Sequence, residues 1–105
     1  MRRGDVFALR LPKGVGHEQH GPRYGVIVQS DVFLPRSVVL LSPTSTRAQL
    51  ASFRPEIEID STRTRVLVEQ TGTVDIGRLG RLVGHLTPEE QWGVDAALLT
   101  VLGLD

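Results

Sequence analysis

A chain of 105 residues, 40% hydrophobic and 23% charged, is long enough for one core and too apolar to stay disordered, so a single domain over residues 1–105 is expected. It has no cysteine, which excludes disulfides, thiolate nucleophiles and cysteine-ligated zinc and suits a reducing cytoplasm. Twelve basic and twelve acidic groups cancel overall, yet all twelve bases and only eight acids fall in residues 1–85, a local balance of +4.

Eleven of the twelve bases are arginine, whose planar fork matches phosphate. Arginine-rich usage also follows from genome composition, so charge by itself only permits a polyanionic ligand. No stretch approaches the ~20 apolar residues of a membrane span. Met1-Arg2-Arg3-Gly4-Asp5 runs straight into an acid with no apolar stretch behind it, so no signal peptide is expected.

In chain order, residues 5–11 alternate polar and apolar, the period of a half-buried strand. Pro12 ends it, and residues 13–22 read as a glycine-rich loop holding His17, Glu18, Gln19 and His20. Residues 24–28 are more continuously apolar and predict a central strand, followed by a connection over 31–36 that carries Pro35. A third strand over 37–41, rich in β-branched residues, is expected to halt at Pro43. Residues 44–53 read as a polar loop, 55–60 as an alternating strand, and 65–69 as a fifth strand. Gly72 opens a turn region, residues 76–79 suit a short helical turn, and 81–86 suit a last strand.

The clearest local signal is Thr87-Pro88-Glu89-Glu90. Thr87 suits a helix cap, Pro88 the first helical position, and Glu90 closes a capping box. Behind it, Trp92, Val94, Ala97, Leu98, Val101 and Leu102 form a broad apolar face, and Gly103 suits the stop. The fold class expected is mostly β with one C-terminal helix: a small, strongly bent antiparallel sheet or barrel. The helix face is wider than such a sheet requires, which suggests a homodimer.

Metal-ligand patterns are absent: His17 and His20 stand alone in their loop, and there is no carboxylate cluster. Neither a phosphate-cradling glycine loop nor a serine nucleophile elbow is present, and five aromatics make a base-stacking platform improbable. What remains is a set of polar residues at strand ends. Arg23 precedes the second strand, Thr44, Ser45 and Thr46 follow the third, and Glu69-Gln70 closes the fifth. If strands two and three are antiparallel neighbours, Arg23 and Thr44 converge on one sheet edge. A guanidinium beside a hydroxyl makes a phosphate site. Taken singly, each also has a structural use, Arg23 as a solvated strand start and Thr44 in a local turn.

Taken in order, Arg3-Gly4-Asp5-Val6, Gly16-His17-Glu18-Gln19-His20-Gly21-Pro22-Arg23, Pro43-Thr44-Ser45, Val68-Glu69-Gln70, Thr73-Val74-Asp75 and the closing Leu86-Thr87-Pro88 helix resemble the MazF/PemK (Kid) family of toxin endoribonucleases. The resemblance spans nearly the whole chain. It implies an SH3-like barrel with a C-terminal helix, a cytoplasmic homodimer, and a cognate antitoxin as inhibitor. It implies sequence-specific cleavage of single-stranded RNA, chiefly mRNA, with no cofactor and no metal, leaving a 2′,3′-cyclic phosphate and a 5′-hydroxyl. By the same resemblance Arg23 and Thr44 are catalytic, Glu69 is a candidate acid–base group, and His17, Glu18, Gln19, Ser45 and Gln70 bind RNA.

Three positions depart from the family pattern. Tyr24 stands where proline is usual, Leu67 where the Kid branch has an arginine, and Gly72 where many members carry one. These departures shift weight from a Kid-style acid–base pair onto Arg23 with Thr44. Two other readings keep a similar architecture. Gyrase-poisoning CcdB toxins use a C-terminal Trp-Gly pair, whereas Trp92-Gly93 falls inside the expected helix, and an SH3-like binding module would have no catalysis.

Overall fold

The computed structural model describes residues 1–10 and 23–105. Among them, seven strands form one bent antiparallel sheet closed by a single α-helix. The strands are β1 (Asp5–Leu9), β2 (Tyr24–Ile27), β3 (Val38–Ser45), β4 (Glu56–Ile59), β5 (Thr62–Val66), β6 (Gly72–Asp75) and β7 (Leu79–His85), and the helix is α1 (Pro88–Val101). The sheet runs β4-β5-β3-β2-β1-β7, with β6 also paired to β3.

The longest strand, β3, organises this arrangement. Along one edge it pairs with β2, in the register Gly25 with Pro43 and Ile27 with Leu41. Along the other it pairs first with β6, from Val38 to Leu41, and then with β5 at Thr44 and Ser45. Pro43 was expected to end the strand and does not. The Pro43 carbonyl accepts from Leu67 N at 2.8 Å, so its missing N–H lies on the edge where β3 exchanges β6 for β5. A proline there forfeits no ladder bond. Thr44 and Ser45 therefore lie in a strand, not in a loop.

Two other expectations are corrected. The fifth strand is Thr62–Val66 rather than 65–69, and Val68–Gln70 is a short 3-10 turn. Residues 72–75, read as a turn, form β6, whose pairing with β3 overrides a glycine start and a single β-branched apolar residue, Val74.

Alternation along β2 explains its continuous apolar character, because its two faces serve two cores. Val26 and Val28 join Ile57, Val66, Val68 and Val94 beneath the helix. Ile27 faces the other way with Val39, Leu41 and Leu79. The helix seats on the first core through Val94 and Ala97. Its capping box forms as the sequence requires, with Thr87 Oγ1 accepting from Glu90 N at 3.1 Å and Glu90 Oε1 accepting from Thr87 N at 2.9 Å. Gly103, at φ +69°, turns the chain after the helix, and Leu104 N donates back to Leu99 O.

Arg3-Gly4-Asp5, which spells an adhesion tripeptide, is a structural knot. Arg3 Nε donates to Val28 O at 2.8 Å and Nη1 to Asp95 of the helix at 2.7 Å. Gly4 N donates to Ile27 O while Gly4 O accepts from Leu86 N. The buried Asp5 carboxylate pairs with His85 Nδ1 at 2.9 Å.

Candidate functional site

The antiparallel β2–β3 ladder carries Arg23 and Thr44 to the same end of the sheet. Gly25 pairs with Pro43, so by the same register Tyr24 lies opposite Thr44 and Arg23 opposite Ser45. The Arg23 backbone is held from the other side as well, its carbonyl accepting from Leu9 N at 2.8 Å. Arg23 is thereby fixed at the head of a three-strand ladder, with its residue surface exposed.

Thr44 is buried, and its hydroxyl donates to Tyr24 O at 3.4 Å, a long bond. Strand alternation sets its side chain on the face opposite to Pro43. Ser45 Oγ accepts from Arg47 N at 3.1 Å and shapes the turn out of β3. His17, Glu18 and Gln19 lie outside the described residues.

Beside Arg23 opens a groove of about 240 Å³. Its apolar floor is Leu9, Leu41, Pro43 and Val74. Its polar rim joins Arg23 to Gln70, Thr73 and Arg78. Gln70 therefore shares a surface with Arg23, reached through the 3-10 turn after β5. No carboxylate lines the groove, so among the described residues its formal charge is positive.

Glu69 is turned to another partner. Arg54, at the end of the loop between β3 and β4, sends Nε (3.0 Å) and Nη2 (2.7 Å) to Glu69 Oε2. Arg54 is itself braced, with Nη1 on Gln49 O and its guanidinium 5.4 Å from the centre of the Phe53 ring. Its hydrogen bonds hold the Glu69 carboxyl below its ordinary value, against a smaller opposing effect of burial. The arginine that Leu67 lacks is thus matched by one from a different element. Sequence reading did not find Arg54, because a partner fifteen residues away across a loop leaves no local signal. It also did not find Arg78, which looks like any arginine in a turn.

Among the described residues no three His, Asp or Glu side chains gather as a metal site, and no helix is long and apolar enough to cross a membrane. A family model described as PemK-like, MazF-like toxin of type II toxin–antitoxin systems matches residues 2–102. The chain belongs to this toxin family.

Among its relatives, a Mycobacterium tuberculosis protein named as a toxin is 46% identical over 90 residues, covering 85% of this chain and 84% of that one. Endoribonuclease EndoA of Bacillus subtilis is 34% identical over 113 aligned residues, covering 99% of this chain and 96% of its own. Among solved structures, the Mycobacterium tuberculosis toxin MazF-mt6 superposes with a TM-score of 0.79 at 19% identity, over 96% of this chain and 98% of that one. At that identity the likeness speaks for the fold, which agrees with the bent sheet and closing helix found here.

Proposed function

We propose that this toxin is a sequence-specific endoribonuclease that cleaves single-stranded RNA, chiefly mRNA, in the cytoplasm without a metal, acting as a homodimer and held inactive by a cognate antitoxin. The observation that carries this reading is Arg23 at the head of β2, on the rim of a groove whose described lining holds a second guanidinium, Arg78, and no carboxylate. Family membership and the homology to EndoA support it.

In this reading the 2′-oxygen of the substrate attacks the adjacent phosphorus while the bond to the 5′-oxygen breaks. The 2′-hydroxyl loses its proton, the leaving 5′-oxygen gains one, and the products are a 2′,3′-cyclic phosphate and a 5′-hydroxyl. Negative charge grows on the phosphoryl oxygens at the pentacoordinate stage. A guanidinium keeps its protons at neutral pH, so Arg23 serves by holding that charge. Thr44, buried on the sheet face opposite to Arg23, serves the site from behind, its hydroxyl donating a long bond to the carbonyl of Tyr24, the residue next to Arg23. Gln70 and Ser45 contact RNA on either side, with His17, Glu18 and Gln19 contributing from the segment that precedes Arg23 in the chain.

Glu69 fits a proton acceptor less well than its position alone suggests. A carboxylate whose pKa is lowered is a weaker base. Its pairing with Arg54 favours a role in fixing the loop against the turn that carries Gln70. Exposed Trp92 and Leu99 on α1, with Leu102 and Leu104 beyond it, support the homodimer.

The test is Arg23→Ala assayed on RNA oligonucleotides. Losing a preorganised charge lowers the cleavage rate by roughly 10²–10³ or more, with the circular dichroism spectrum unchanged. EDTA leaves the wild-type rate unchanged, and a DNA copy of the substrate is not cut because it lacks the nucleophile. Full activity in the variant, or metal dependence, overturns the mechanism.

A further inference from the structure

We propose that the groove beside Arg23 is a nucleotide subsite and that Arg78 is its phosphate anchor, one nucleotide along from the phosphate held by Arg23. The inference rests on the ribonuclease reading and deepens it.

The groove combines surfaces that a nucleotide needs. Leu9, Leu41, Pro43 and Val74 give an apolar wall for the face of a base, in a chain too poor in aromatics to offer a stacked platform. Gln70 offers an amide with both donor and acceptor, and Thr73 a hydroxyl, for the edge of a base. Two guanidiniums, Arg23 and Arg78, stand on the rim and no carboxylate lines it among the described residues, an arrangement that suits a ligand with two negative charges spaced along it. Successive phosphates of an RNA strand are such a ligand.

Arg78 is held in place by the backbone on which it sits. Asp75 caps the short turn Ile76–Arg78, its Oδ1 accepting from Gly77 N at 2.7 Å, so that acid is committed locally. Arg78 O then accepts from Arg10 N at 2.7 Å, and Arg78 Nε donates to Arg10 O at 3.3 Å. This two-point link to the chain end of β1 fixes the root of the side chain beside the groove. The terminal nitrogens keep four N–H groups for a phosphate. Little side-chain freedom is then lost on binding, which separates a built anchor from a solvated surface arginine.

The experiment measures binding of an uncleavable RNA, carrying 2′-deoxyribose at the mapped cleavage position, to wild type, Arg78→Gln and Arg78→Lys over a range of salt. For a single strand each phosphate contact contributes about 0.7 to the slope of log K against log salt. Arg78→Gln loses about 0.7 of that slope and about tenfold or more in affinity, while Arg78→Lys keeps most of the slope. In wild type, a neutral methylphosphonate at one linkage next to the cleaved one produces the same loss, and in Arg78→Gln that substitution costs nothing further.

An unchanged slope in Arg78→Gln overturns the subsite while leaving the ribonuclease reading intact, provided wild type cuts RNA. Equal tolerance of methylphosphonates on both sides of the cleavage position in wild type overturns it as well, whether or not the variants fold. A wild type that neither cuts nor binds RNA overturns both readings.

Discussion

Replacing Gly4 by alanine tests whether the start of the chain is a structural knot. Gly4 adopts φ +92°, a conformation that side chains rarely take. A Cβ at this position would lie 2.6 Å from Gln91 Oε1 and 3.0 Å from His85 Cε1. The backbone strain alone costs roughly 1–3 kcal/mol. Gln91 must also swing away from the helix surface, giving up its 3.0 Å bond to Asp95, worth about 0.5–1.5 kcal/mol.

The two effects together make roughly 2–4 kcal/mol, which for a domain of this size lowers Tm by roughly 10–20 °C. The assay is thermal unfolding followed by circular dichroism at one fixed protein concentration, since Tm depends on concentration wherever subunits associate. Gly103→Ala is the control: Gly103 also has positive φ (+69°), but an added Cβ there meets nothing within 4 Å. It should show strain without the steric part. A Gly4→Ala variant within about 2 °C of wild type, or no worse than Gly103→Ala, refutes the reasoning.

Two further outcomes follow from the site. Arg54→Ala releases the Glu69 carboxyl, so its titration, followed by carbon-13 NMR of the side chain, moves back up toward the ordinary value. Because pairing lowers the folded-state pKa of Glu69, its stabilisation is present above the unfolded glutamate pKa and fades as pH falls through the lowered one. The Tm gap between wild type and Arg54→Ala therefore narrows on going from neutral pH to pH about 3; a gap that stays constant counts against the pairing. Thr44→Val keeps the shape of the side chain and removes a hydroxyl whose present bond is 3.4 Å long. We expect stability within about 1 kcal/mol of wild type and RNA cleavage down by about tenfold or more, with Thr44→Ser recovering most of the rate; unaltered cleavage in Thr44→Val removes Thr44 from the mechanism.

The parts of the fold legible in the sequence were those governed by short-range rules. The capping box at Thr87, the central character of residues 24–28 and the alternation at Ile57 and Ile59 are each visible over a few residues, and each forms as read. The meeting of the Arg23 and Thr44 backbones also followed, because antiparallel pairing sets the start of one strand beside the end of the next. What was missed depends on partners far away in the chain. β6 exists because β3 has an open edge from Val38 to Leu41, which nothing within residues 72–75 announces. Pro43 looks like a stop until the exchange of neighbours along that edge is known. The family pattern puts an arginine partner for Glu69 at position 67, whereas here the loop between β3 and β4 brings Arg54 to it.

Glu90 has a consequence for solubility that its role in the helix cap does not suggest. β4 is one of the two outermost strands of the sheet, β7 being the other, and an outermost strand presents bare N–H groups to any other chain that can pair with them. Glu58 N, on that open side, donates instead to Glu90 Oε2 at 2.8 Å. The same carboxylate that caps α1 thus plugs a donor on the edge of the sheet, while Glu56 and Glu58 keep that edge charged. A chain cut short before the helix would expose this edge together with the core beneath it. Such a fragment should aggregate through strand addition, so the last helix acts as a guard against self-association of the sheet as well as a wall of the core.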